Sequence, residues 1–135
     1  MKRIRDANLD LSSDTTPPAA PSEPDLDLAS DSGISGTDNL TNIVTPTFVG
    51  TAEAGATVTI VSDLEGDKGS GVASGGNYAI AISTASENIH TFVAFATDLA
   101  GNIGPNSSGL VVTFDITPPS LCTTPDLQSG YDSGV

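Results

Sequence analysis

The chain has 135 residues, and its 17 Asp and Glu against 4 Lys and Arg give a formal charge of −13. Lys2, Arg3 and Arg5 precede Asp6 and only Lys68 follows it, so no basic face exists for nucleic acid or for an anionic membrane surface, whereas divalent cations would offset such a field. Of the acids 13 are Asp and 4 are Glu; Asp favours turns and caps, and with 14 Gly and 9 Pro this composition reads as all-β with many turns.

In chain order, Thr15 to Pro24 holds Pro17, Pro18, Pro21 and Pro24 and is predicted to be a semi-rigid extended linker. Asp25 to Ala29 is a short first strand, at an edge because prolines precede it. Ser30 to Asn42 is a polar loop, and Ile43 to Ala52 a second strand, with Pro46 arguing against a central place in its sheet. Glu53-Ala54-Gly55 is a tight turn. Thr57 to Ser62 alternates, with Val58 and Ile60 on one face. Asp63 to Ser70 is a turn, and a short strand near Gly71 to Ala73 leads into a Gly75-Gly76 hairpin turn. Asn77 to Ser83 sets Tyr78, Ile80 and Ile82 against Ala79 and Ala81. After an Ala85–Ile89 loop, His90 to Thr97 is apolar on both faces and therefore central, with Phe92, Ala94 and Ala96 inward and Val93 and Phe95 outward. A Leu99–Ser108 loop precedes the closing strand, Gly109 to Asp115, with Leu110, Val112 and Phe114 inward. Seven short strands with regularly spaced turns predict an antiparallel β-sandwich. Without Trp, the core must be built from Val, Ile, Leu, Ala and a few Phe.

The chain also repeats itself. Asp14-Thr15-Thr16-Pro17-Pro18 returns as Asp115-Ile116-Thr117-Pro118-Pro119, Pro24-Asp25-Leu26 as Pro125-Asp126-Leu127, and Asp31-Ser32-Gly33-Ile34 as Asp132-Ser133-Gly134-Val135, always at an offset of 101 residues. At the same offset Leu9 and Leu11 align with Leu110 and Val112. A fixed period signals a tandem array. The expected organisation is a tail over 1–14 with the last strand of a preceding repeat, one complete repeat over 15–115, and a linker with the truncated start of the next over 116–135. Cys122 falls in that third piece and its counterpart is Pro21, so the complete repeat has no disulfide, and bound metal is a candidate staple. No stretch is apolar enough to span a bilayer. Asp6-Ala7-Asn8 stand where a signal peptide would need an apolar run, and the expectation is a piece of a longer array.

Gly50-Thr51-Ala52-Glu53-Ala54-Gly55-Ala56-Thr57-Val58-Thr59-Ile60 and Ala96-Thr97-Asp98-Leu99-Ala100-Gly101-Asn102, bounded by Asp-Thr-Thr-Pro-Pro, resemble the bacterial Ig-like repeats of giant surface adhesins and biofilm-associated proteins. The resemblance runs from Asp14 to Pro119. It implies a seven-stranded Ig-like sandwich, one of many in a stalk that projects a binding tip from a bacterial surface. It also implies secretion to the extracellular side and calcium at the junctions between neighbouring repeats.

Calcium takes six to eight oxygens, and short Asp side chains on separate loops can converge on one ion. With alternating strand directions, Asp14, Glu53, Asp98 and Asn102 fall at one end of the sandwich and form a candidate interdomain calcium site. The alternative is that Asp98 and Asn102 bind their own loop and Asp14 opens a turn before the prolines. A second candidate set is Asp25, Asp31 and Asp38, with Asp27 set aside because the repeat replaces it with Gln128; Asp115 lies at the exit. Here the alternative is solvated loop acids. Counted from Asp63, the sixth and twelfth positions are Lys68 and Ser74 where a helix-loop-helix calcium loop needs Gly and Glu, so Asp63 to Gly69 reads as an exposed hairpin turn.

No catalytic constellation is present in the sequence: His90 has no His or Cys partner and is expected at the surface or a strand edge, and no nucleophile elbow, phosphate loop or zinc pattern occurs. The expected function is a non-catalytic structural extender that partners neighbouring repeats, with host or surface glycan or protein met only by a distant tip. The alternatives are a unit that itself binds a glycan or host protein through the Val93 and Phe95 face, and an accessory module of a secreted hydrolase.

Overall fold

A computed structural model describes residues 14–119. The strand expected within 1–13, the truncated repeat from 120 onward and Cys122 lie outside the described residues. Eight strands occur among them: β1 (Asp25–Leu26), β2 (Leu40–Thr41), β3 (Thr47–Thr51), β4 (Thr57–Ser62), β5 (Gly66–Val72), β6 (Asn77–Ala81), β7 (Asn88–Thr97) and β8 (Leu110–Phe114). They form a three-stranded sheet in the order β1-β3-β6 and a five-stranded sheet in the order β2-β8-β7-β4-β5. The expected all-β sandwich is observed, with differences in detail. The additional strand is β2, inside the predicted Ser30–Asn42 loop, and it pairs with β8 in parallel, Leu40 opposite Thr113 and Thr41 opposite Phe114. Two residues flanked by polar ones carry no hydrophobic period. What fixes them is tertiary: Thr41 is buried, and its hydroxyl donates to the Ser30 carbonyl over 2.6 Å. The hairpin turn after β4 is also shorter than predicted, because β5 begins at Gly66.

Pro46 does not keep the second strand at an edge. It is buried just before β3, which lies between β1 and β6, and its carbonyl accepts from Ile82 N. A proline at the mouth of a strand removes no ladder donor, so a central position stays open to it. Gly75 and Gly76 have φ of 60° and 87°, the paired left-handed conformation of a tight hairpin turn between β5 and β6.

Alternate residues of β4, β6 and β7 point inward as the period of two requires: Val58, Ile60, Tyr78, Ile80, Phe92, Ala94 and Ala96 are all buried. Val93 and Phe95 are half-buried on the opposite face. The two sheets meet at Phe48 of β3 and Phe92 of β7, with ring centroids 4.7 Å apart. Phe114 of β8 packs on Phe92 edge-on at 6.1 Å. Three phenylalanines supply the aromatic bulk that a Trp-free sandwich needs.

The proline-rich segment is part of this body. Pro18, Pro21 and Pro24 are buried while the residues between them are exposed, a period of three that matches the turn of an extended polyproline helix. Ser22 bonds both ways to the end of β3, its N–H to the Thr51 carbonyl at 2.9 Å and its hydroxyl oxygen from the Thr51 N–H at 2.9 Å. Tyr78 passes over Gly50, and its hydroxyl reaches the Ser22 carbonyl at 3.4 Å. Burial pushes the Tyr78 phenol up to about 12.

Candidate functional site

The longest strand sets the axis of the site. β7 has ten residues, roughly 33 Å of extended chain, with Glu87 before its first residue and Asp98 after its last. Asp14 lies at the Asp98 end, where Asn102 Nδ2 donates to its carbonyl over 2.9 Å. Asp115 lies at the Glu87 end, just beyond Phe114, which pairs with Asn88. The two boundary aspartates of the repeat therefore occupy opposite ends of the sandwich.

At the first end the Asp98–Asn102 loop is built on one carboxylate. Asp98 Oδ1 accepts from the backbone N–H of Ala100 and of Asn102, each at 2.9 Å, and Oδ2 accepts from Asn102 Nδ2 at 2.9 Å. These bonds stabilise the ionised form, and the Asn102 side chain does so most, holding the Asp98 carboxyl below the usual carboxylate range. Asp14, Glu53 and Asp98, from three separate segments, line one cleft of about 170 Å³ together with Ala54, Gly55 and Leu99. Asn102 turns its Nδ2 toward these oxygens, so in this arrangement it acts as a donor. The self-bonded Asp98–Asn102 loop and the Asp14 turn, the alternative to a calcium site, are both formed.

At the other end Asp115 lines a cleft with Ser32, Gly33, Leu40, Thr41 and Asn42, and its Oδ1 accepts from Thr117 N at 3.1 Å. Asp31 is buried, with Oδ2 accepting from Asn39 N at 3.1 Å, while Oδ1 has no hydrogen-bond partner among the described residues. Asp38 Oδ1 accepts from Leu40 N and shapes its own turn. Asp25 instead lines a separate cleft with Asp27, Gly36, Thr37 and Asn39, so the second set is not drawn into one place. Among the described residues no three His, Cys, Asp or Glu side chains stand close enough together to hold a metal by themselves. What the Asp14 cleft offers is hard oxygen donors, the chemistry that suits calcium rather than a softer metal. The orphaned Asp31 Oδ1 is a buried carboxyl oxygen, a donor of the same hard kind.

Two residues that sequence reasoning passed over are prominent. The Thr117 hydroxyl donates to the Glu87 carboxylate, 2.8 Å from Oε1 and 2.6 Å from Oε2. The one signal for it in the sequence was that Thr117 repeats Thr16. The third acidic stretch is the exposed turn expected: Glu65 pairs with Lys68 at 2.7 Å, and Asp63 Oδ1 accepts from Thr91 N.

His90 is neither at the surface nor at an edge. It is fully buried, stacked on Phe92 with centroids 5.6 Å apart and edge-on to Phe114 at 5.2 Å. Its Nδ1 lies 2.8 Å from Ser62 Oγ and its Nε2 3.0 Å from the Ser86 carbonyl. A carbonyl only accepts, so Nε2 carries the proton and Nδ1 accepts from Ser62. Both ring nitrogens are satisfied, which is how a polar ring is accommodated in a core. A concavity of about 720 Å³ lies elsewhere, over Val49, Thr51, Val72, Asn77 and Ala79, and includes none of the candidate metal residues. No helix among the described residues is long and apolar enough to cross a membrane.

Residues 16–116 match the family model described as bacterial Ig-like domain. A solved structure described as "Biofilm associated protein - BSP domain" is similar over 82% of this chain at 21% identity with a TM-score of 0.49, and the match spans 16% of that structure's chain. A comparison with curated proteins finds no match. The chain belongs to the bacterial Ig-like domain family.

Proposed function

We propose that this bacterial Ig-like unit is a non-catalytic extender repeat of a bacterial surface adhesin, working outside the cell in a stalk that supports adhesion or biofilm formation. One observation carries the reading: the two copies of the boundary motif make the same turn at opposite ends of one sandwich. Asp14 Oδ1 accepts from Thr16 N at 3.0 Å and Asp115 Oδ1 from Thr117 N at 3.1 Å, one repeat of 101 residues apart. A unit whose start and finish are equivalent and lie a strand length apart stacks head to tail, and each copy adds length to the rod.

Calcium at the junction is the second part of the proposal. Asp14, Glu53 and Asp98 would have to draw closer to hold it, and the ion would supply positive charge and draw in backbone carbonyl oxygens to complete its shell. Without an ion, like charges that line one cleft repel and favour an open joint. Extracellular modules of this kind need dissociation constants of only about 10⁻⁴ to 10⁻³ M. The experiment is thermal unfolding and small-angle scattering of the chain in calcium and in chelator. A lower Tm and a broader profile in chelator support the calcium bridge. Identical curves remove it and leave an extender without metal.

A further inference from the structure

The repeat makes Asp14-Thr15-Thr16-Pro17-Pro18 and Asp115-Ile116-Thr117-Pro118-Pro119 two copies of one segment, and each is seen held from a different side. The first is held by the body that follows it: Asn102 Nδ2 donates to the Asp14 carbonyl over 2.9 Å. The second is held by the body that precedes it, through the Thr117 hydroxyl on the Glu87 carboxylate at 2.8 and 2.6 Å. Both copies carry the same internal bond from the Asp carboxylate to the N–H two residues on. The two views can therefore be laid over one another residue by residue.

We infer that this segment is a two-sided clasp between successive copies of the unit. Glu87 of the preceding copy grips the Thr hydroxyl, and Asn102 of the following copy grips the Asp carbonyl two residues upstream. The inference rests on the tandem reading above, and the partner is a second copy of this unit. Two residues span about 7 Å when fully extended, so little chain lies between the grips, and the Asp turn closes over part of it. The prolines that follow have fixed φ, and Pro18 is buried beside Gly104. The ends that meet also carry, among the described residues, the two most exposed large apolar side chains, Ile34 at 108% beside the Asp115 cleft and Leu99 at 96% in the Asp14 cleft. Exposed apolar groups at facing ends lose water when the copies stack. The clasp uses an amide, a hydroxyl and one carboxylate, so it holds without an ion and is distinct from a calcium bridge.

The test is a protein in which the unit is duplicated at its own period, residues 1–119 followed by 19–135, with one spin label on each copy and the distance distribution read by pulsed EPR in calcium and in chelator. A clasp predicts a narrow distribution that survives chelator, widens with Glu87→Ala in the first copy or Thr117→Val between the copies, and stays narrow with Thr117→Ser, which keeps the hydroxyl. A narrow distribution in the parent that neither Glu87→Ala nor Thr117→Val widens overturns the clasp and leaves the stiff extender standing. A distribution narrow in calcium and fully broad in chelator also overturns it, assigning stiffness to the ion alone. A broad distribution under both conditions overturns the clasp and the stiff extender together.

Discussion

Ser62 Oγ lies 2.8 Å from Nδ1 of His90 in the interior of the sandwich, and the same hydroxyl oxygen accepts from the N–H groups of Leu64 and Glu65 at 3.1 and 3.2 Å. One buried serine thus joins the core histidine of β7 to the turn that ends β4. Ser62→Ala should cost about 1–3 kcal/mol, since it leaves Nδ1 without a donor in a dry site. His90→Ala should cost about 3–4 kcal/mol, because it also opens a cavity beside Phe92 and Phe114. Denaturant unfolding would read both as lower midpoints at an unchanged slope. A cost near zero for either would mean that water enters and the pair is not closed.

Gly104 has no room for a side chain, because a Cβ there would collide with the Pro18 carbonyl. Gly104→Ala should lift the Thr15–Pro24 segment off the body while leaving β4, β7 and β8 in place. Hydrogen exchange would then rise at Ser22 and Thr51, whose bonds tie the same segment to β3. Protection unchanged at both amides would show that the segment is held without Pro18.

Lys68, the only basic residue after Asp6, donates to Glu65 Oε1 at 2.7 Å and to the Thr84 carbonyl at 2.6 Å, and Glu65 Oε2 accepts from Ser86 N at 3.1 Å. The Lys68 hydrogen bond first, then Ser86, lowers the Glu65 carboxyl from its usual 4.5 to about 2. A depressed carboxylate contributes stability that is present above its unfolded value and is lost as protons bind the folded state. The loss should therefore run from pH 4.5 down toward pH 2. For a pair at the surface it amounts to about 1 kcal/mol or less. Glu65→Gln should flatten that part of the pH profile, and an equally steep acid limb in the variant would assign the loss to other carboxylates.

Asp98 and Glu53 are the residues to change if calcium seats beside Asp14. Asp98→Asn or Glu53→Gln should shrink or abolish the shift in Tm between calcium and chelator. Asp98→Asn should in addition loosen the Asp98–Asn102 loop, because an amide nitrogen cannot accept the bonds that Oδ1 and Oδ2 now accept. Calorimetric titration of each variant with calcium gives the check. Heats equal to those of the parent would move the ion away from this cleft.

Much of this was legible in the chain. The alternation of Val58, Ile60 and Ser62, of Tyr78, Ile80 and Ile82, and of Phe92, Ala94 and Ala96 forces a side-chain period of two, and burial follows that alternation residue by residue. The grouping of Asp14, Glu53 and Asp98 was legible as well, because alternating strands place every second loop at the same end. His90 was misread because a lone polar residue beside an apolar run carries no information about what lies opposite it. Its partners Ser62 and Ser86 come from other segments. The parallel strand β2 was invisible for a similar reason, since Leu40 and Thr41 gain their place only from β8.

By itself the sequence determined the period of the repeat, the inward faces of the strands and the anionic character, all of which are properties of spacing along one chain. Only the tertiary structure decided which polar atoms meet: that Asn102 holds the Asp14 carbonyl, that Glu87 receives Thr117, and that the proline segment lies on the body. Hydrogen bonds act over about 3 Å, while the residues that make these two are separated by 88 and 30 positions in the chain, and no local pattern records a distance that only folding brings about.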